Sequence, residues 1–147
     1  MFRRVKLKKS VRMCGRNLKV FGRVYVTNGK GISIGDDCRM NDGCKLFGRF
    51  GSQIIIGNDV TLSPNVVVLS SGYDVKKWMN TQKKEHKSMN TYIGNHIWIC
   101  TNSVVLGGVS ITGEYVVIAA GSVVTSDINE SYCVYAGVPA RLVKKYR

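Results

Sequence analysis

The sequence predicts an all-β solenoid, and three observations carry that prediction. Between residues 93 and 111 an aliphatic residue recurs every six positions, at Ile93, Ile99, Val105 and Ile111. Ile97, Ser103 and Val109 stand four places after the first three of these. One unit, Ile-Gly-(Asp/Asn) followed by three residues and an aliphatic one, begins at Ile34, Ile56 and Ile93. Glycine is frequent, at 16 of 147 residues, as a chain with many corners requires. A period of six is neither the roughly 3.6 of a helix nor the simple two of a strand. It fits a solenoid in which each short side of a coil takes six residues and turns one aliphatic side chain inward. An ordinary alternating sheet shares the multiple of two, but alternation fails at the corners and the six-spacing does not.

The totals bound the rest. A chain of 147 residues is the length of one domain, here expected over 1–147. No stretch approaches the roughly 18 apolar residues of a membrane span, so a cytoplasmic protein without integral membrane association is expected. The five cysteines, Cys14, Cys38, Cys44, Cys100 and Cys133, show no ligand spacing, and no metal is expected. The net charge of +13 calls for an anionic partner. Nucleic acid is not favoured, because no aromatic stacking set accompanies the charge.

Taken in order, residues 1–29 interleave basic and apolar residues and read as short strands of an irregular basic first coil. Ile34, Met40 and Leu46 form the sides of one coil, and Ile56, Leu62 and Val68 those of another. Residues 47–53 break the count and read as a wider corner. The repeat stops after Leu69 and resumes at Ile93, leaving 72–91 as a polar, lysine-rich protruding loop. A loop this long in an economical solenoid is a functional candidate. From Ile111 the register is open: Val117 and Val123 point inward, or Ile118 and Val124 do. Residues 129–147 read as a strand, a turn and a short closing segment.

The stretches IGNHIWI, AAGSVVT and AGVPARLVKKY resemble the hexapeptide-repeat acyltransferases, from about residue 30 onward. The closing GVPAR points to their sugar and polysaccharide O-acetyltransferase branch. The resemblance implies a left-handed parallel β-helix, a homotrimer, and acetyl-CoA lying in the groove between neighbouring subunits. It also assigns residues. Thr101 follows the Trp-Ile-Gly triplet position, although here the triplet is Trp98-Ile99-Cys100. Ala120 precedes Gly-Ser, Thr125 follows that pair, and Arg141 and Lys144 fall where relatives hold the cofactor's phosphates. A pantetheine arm is a chain of amides that small side chains let approach the backbone, and Lys and Arg suit its phosphates.

Acetyl transfer to a hydroxyl needs a base for the acceptor's proton, commonly histidine. In relatives that His follows a Gly at the start of the inserted loop. The matching stretch here is Ser71-Gly72-Tyr73-Asp74, so the expected His is missing, and His86 is the candidate replacement. Asp74 is a candidate to orient a His or bind an acceptor hydroxyl. His96 reads as structural, and Cys100 has no base beside it in sequence. The reading is therefore an acetyl-CoA-dependent acetyltransferase acting on a sugar or glycan hydroxyl, less readily an amine. The loop lysines suggest an anionic acceptor. The alternatives are an inactive solenoid scaffold, favoured by the Tyr73 departure, and a γ-type carbonic anhydrase, which needs three zinc-binding histidines where this chain has two.

Overall fold

The computed structural model describes residues 2–147; Met1 and the side chains of Phe2 and Arg3 lie outside that description. A helix α1 (Phe2–Ser10) leads into a three-sided parallel β-helix. The first coil is β1 (Met13–Cys14), β2 (Lys19–Phe21) and β3 (Tyr25–Thr27). The second is β4 (Ile32–Ile34), β5 (Arg39–Asn41) and β6 (Lys45–Phe47). The third is β7 (Ile54–Ile56), β8 (Val60–Leu62) and β9 (Val67–Leu69). An arm follows, made of β10 (Ser71–Tyr73), α2 (Val75–Thr81) and β11 (His86–Ser88). The fourth coil is β12 (Thr91–Ile93), β13 (Ile97–Ile99) and β14 (Val104–Val105), and the fifth β15 (Ser110–Ile111), β16 (Val116–Ile118) and β17 (Val123–Val124). The chain closes with β18 (Cys133–Ala136) and β19 (Arg141–Lys145), which pair antiparallel.

Each side of the prism is one sheet. β1, β4, β7, β12 and β15 form the first side, β2, β5, β8, β13, β16, β18 and β19 the second, and β3, β6, β9, β14 and β17 the third. The period-six residues are the core. Ile34, Ile56, Ile93 and Ile111 stack on the first side, Met40, Leu62, Ile99 and Ile118 on the second, and Leu46, Val68, Val105 and Val124 on the third. All are at most 2% exposed. Burying an aliphatic side chain of this size contributes roughly 2 kcal/mol, which is what holds successive coils together. The open register settles on Ile118 and Val124, with Val117 and Val123 facing outward. Hydroxyls among the inward residues are satisfied: Ser103 and Ser122 both donate to the Ala119 carbonyl, at 2.9 and 2.7 Å.

The repeated Ile-Gly-(Asp/Asn)-X unit now has a physical content. Ile faces the core. The Asx side chain reaches one coil back: Asn95 Oδ1 accepts the Asn58 amide proton at 2.8 Å, Asn58 Oδ1 that of Asp36 at 2.8 Å, and Asp36 Oδ1 that of Arg16 at 2.7 Å. Gly leaves room for this contact, since a Cβ at Gly57 would sit 2.5 Å from Asn95 Oδ1. The next residue makes the corner in the left-handed region, with φ near 55° at Asp37, Asp59 and His96 alike (57°, 52° and 56°).

Two expectations change. The basic N-terminal segment is not strands throughout: residues 2–10 form α1, and the coil that follows is regular rather than irregular. Leu7 on α1 and Val11, the residue just beyond its end, are both buried and join the core at this end of the prism. The loop 72–91 is an ordered arm, and its last residue, Thr91, already belongs to β12.

Candidate active site

The arm leaves the prism at the corner between the third and first sides. Asp74 accepts the Lys77 amide proton at 3.0 Å and so caps α2, and Lys77 Nζ meets Glu85 Oε2 at 2.6 Å. The capping contact makes Asp74 a structural residue here, with its other oxygen 3.7 Å from Lys87 Nζ. β10 and β11 pair in a register that sets Tyr73 opposite His86, with ring centroids 4.8 Å apart. The position where a His was expected and the His found later in the segment are therefore cross-strand neighbours. Ser88 Oγ donates to the Phe50 carbonyl at 2.8 Å, tying the arm to the turn at 48–52. Between arm and turn lies an open cleft of about 390 Å³ lined by Phe47, Arg49, Phe50, Ser71 and His86.

A second set of residues lies at the corner between the second and third sides. The Thr101 hydroxyl donates to the Pro64 carbonyl at 2.6 Å, and the Trp98 indole donates to Ser63 Oγ at 3.1 Å. The Gly121 amide donates to the Thr101 carbonyl at 2.9 Å, which places Ala120 one coil beyond Thr101 in the same row. A Cβ built on Gly121, at φ +69°, would meet nothing within 4 Å, so the row is open to an approaching chain. The row continues into Ala136 and Gly137, and Arg141 stands opposite Ala136 in the closing hairpin. Lys144, opposite Val134, is farther along β19, with its ammonium 4.9 Å from the Tyr146 ring.

The six candidate residues thus fall into two groups. Thr101, Ala120 and Arg141 share one corner, and Lys144 extends from it. His86 lies at the next corner, as does Thr125, which directly follows β17. The third side separates them, roughly 15–20 Å for a six-residue side. Within one chain the structure does not bring His86 to the Thr101 row.

The remaining candidates are accounted for. His96 makes its corner at φ 56°, holds Asp59 Oδ2 at 2.8 Å through Nδ1, and stacks on Tyr115 with centroids 4.6 Å apart. Burial pushes the half-buried Cys100 thiol up, away from a nucleophilic thiolate. Among the described residues no three His, Cys, Asp or Glu gather as a metal site. Arg49 and Phe50, which line the His86 cleft, were legible only as the interruption of the six-spacing at 47–53. Ser63 and Pro64, which hold Trp98 and Thr101, carry no signal beyond their place before a corner.

Comparison with solved structures sets this geometry in a family. A galactoside acetyltransferase solved in complex with coenzyme A superposes with a TM-score of 0.85 at 32% identity, covering 97% of this chain and 69% of that one. The chain belongs to the hexapeptide-repeat acyltransferase family. Its fold is accordingly the left-handed parallel β-helix. A hexapeptide-repeat acetyltransferase from Vibrio cholerae, solved with acetyl-coenzyme A, also superposes with a TM-score of 0.85, at 26% identity over 99% of this chain and 77% of that one. The galactoside O-acetyltransferase of Escherichia coli K12 is 33% identical over 139 residues, 95% of this chain. The chain spans 66% of that relative's length. No family model matches the sequence.

Proposed function

We propose that this hexapeptide-repeat protein is an acetyl-CoA-dependent O-acetyltransferase whose acceptor is a hydroxyl of a sugar or polysaccharide precursor. The observation that supports it most is the pairing of His86 with Tyr73 at the mouth of the arm cleft. It returns an imidazole to within one strand of the position where the family carries its base.

In this reading His86 takes the proton of the acceptor hydroxyl as its oxygen attacks the thioester carbonyl. A C–O bond forms, the C–S bond breaks, and the proton passes to the departing CoA thiolate. The Thr101–Ala120 row receives the pantetheine arm: its small side chains and the open corner at Gly121 let a ligand's amides approach the backbone. Arg141 and Lys144 hold the phosphates, and Thr125 lines the far end. Because His86 and the row lie at different corners, the complete site draws them from neighbouring subunits of a homotrimer. Arg49 in the cleft, together with the lysines carried on the arm, suits an anionic acceptor.

Turnover of acetyl-CoA with a panel of neutral and acidic glycans tests this. His86→Ala is expected to lower the acceptor-dependent rate by about 100-fold or more while leaving the calorimetric affinity for acetyl-CoA unchanged. Arg141→Ala/Lys144→Ala is expected to weaken that affinity by roughly tenfold or more. Full activity of His86→Ala would move the base elsewhere. Acetyl-CoA binding without turnover on any acceptor would instead favour the scaffold reading that Tyr73 suggests.

A further inference from the structure

One end of the prism is charged far beyond what solubility requires. Residues 1–30 hold ten Lys and Arg and no Asp or Glu, so about a fifth of the chain carries +10 of the net +13. The nine from Arg4 to Lys30 are all exposed. Among the described residues only Arg16 of these is ion-paired, with Asp36 at 3.3 Å. β1, β2 and β3 are each the edge strand of their sheet, so the charge is gathered on one end face and its rim. A solubilising cap needs a polar surface, but it does not need one sign of charge.

Apolar side chains stand among these cations. Met13, Phe21 and Tyr25, one on each side of the first coil, are 62%, 53% and 43% exposed, and Val5 on α1 is 44% exposed. Between α1 and the coil lies a cleft of about 610 Å³ lined by Lys6, Leu7, Ser10, Arg23, Val24 and Tyr25. Its rim is cationic, and Leu7, which is buried, lies against the core.

We propose that this end is a docking face for an anionic membrane surface, with a phospholipid headgroup phosphate seated between Lys6 and Arg23. Val5 on α1 would enter the headgroup layer as the helix lies on it, a peripheral attachment that no membrane-crossing helix is needed for. Among the described residues no helix is long and apolar enough to cross. A nucleic acid fits the face less well. Tyr25, the aromatic at the cleft, already has its ring engaged by Arg23 at 5.5 Å and Lys45 at 5.6 Å, so it is not free to stack on a base. The inference is independent of the acetyl-transfer reading, since it uses the opposite end of the chain from Arg141 and Lys144 and no residue of the arm.

Cosedimentation of the full chain with phosphatidylcholine vesicles, plain or with about 30% phosphatidylglycerol, tests it. Binding is expected only to the anionic vesicles and is expected to fall steeply between about 0.1 and 0.5 M salt. Arg4→Gln/Lys6→Gln/Lys8→Gln/Lys9→Gln changes exposed helix positions to another good helix former, and its thermal midpoint verifies folding. It is expected to lose roughly tenfold or more in vesicle affinity. Lys76→Gln/Lys77→Gln/Lys83→Gln/Lys84→Gln removes the same charge from the arm and is expected to keep most of it. No binding to anionic vesicles, or equal losses from the two variants, would overturn the proposal. So would a single-stranded RNA that binds more tightly than the vesicles and displaces them.

Discussion

Gly57 shows how closely a single residue is constrained here. A methyl group at Gly57 would meet the Gly94 carbonyl oxygen at 2.7 Å as well as the Asn95 side chain, neither of which can yield without opening the coil stack. Gly57→Ala is therefore expected to cost about 1–3 kcal/mol in a urea titration, the usual cost of an overpacked contact. Its neighbour in the ladder, Asp36, has its carboxyl held below the ordinary 3.8 by the hydrogen bond from the Arg16 amide and then by the Arg16 side chain. A lowered native pKa adds stability above the unfolded value and loses it as pH falls through the native one. Asp36→Asn should therefore flatten the acid limb of stability below pH 3.8, read by thermal midpoints across pH. The inward thiols behave differently. Burial pushes Cys38 up to about 11, so it should resist alkylation at neutral pH until the protein unfolds, as peptide mapping after labelling would show. These positions were legible because the core and corner residues repeat. What the sequence did not disclose was the division of labour: Gly supplies space, Asx bonds to the coil before it, and the residue after Asx carries the positive φ.

Among the elements, the arm was the least legible. Residues 72–91 are polar and have no period, so nothing in them foretold that β10 and β11 would pair or that Tyr73 would face His86. That pairing depends on contacts made at long sequence separation, including the bond from Ser88 to the Phe50 carbonyl. The helix α1 was hidden in a similar way, because its apolar residues also alternate with basic ones over a short span. The arm's own helix rests on one visible device, the Asp74 cap. Asp74→Ala should cost α2 about 1 kcal/mol. Since α2 buries no residue and stands apart from the core, the loss should stay local. Hydrogen exchange at the Lys77 amide would accelerate while the global melting point stays put. A fall in the global midpoint would mean instead that the arm and the coils unfold as one unit.

At the scale of the whole molecule, the distribution of candidate residues makes a demand that one chain cannot meet. The coils rise as a rigid prism, so the third side holds His86 and the Thr101 row apart at two different corners, and no side-chain rotation closes a gap of roughly 15–20 Å. If both serve one reaction, they must come from different chains, and subunit mixing can decide the point. His86→Ala chains keep the row and lack the base. Arg141→Ala/Lys144→Ala chains keep the base and bind acetyl-CoA poorly. Each alone should be nearly inactive at limiting acetyl-CoA. Co-refolded in equal amounts, they should place an intact base beside an intact row in about a quarter of the sites and recover about that share of wild-type activity. A site built within one chain would recover nothing, because every chain in the mixture would carry a defect. Sedimentation of the wild-type protein gives the accompanying check: the proposed homotrimer should sediment as three chains, and a monomer that turns over acetyl-CoA would require the base to be found on the Thr101 corner itself.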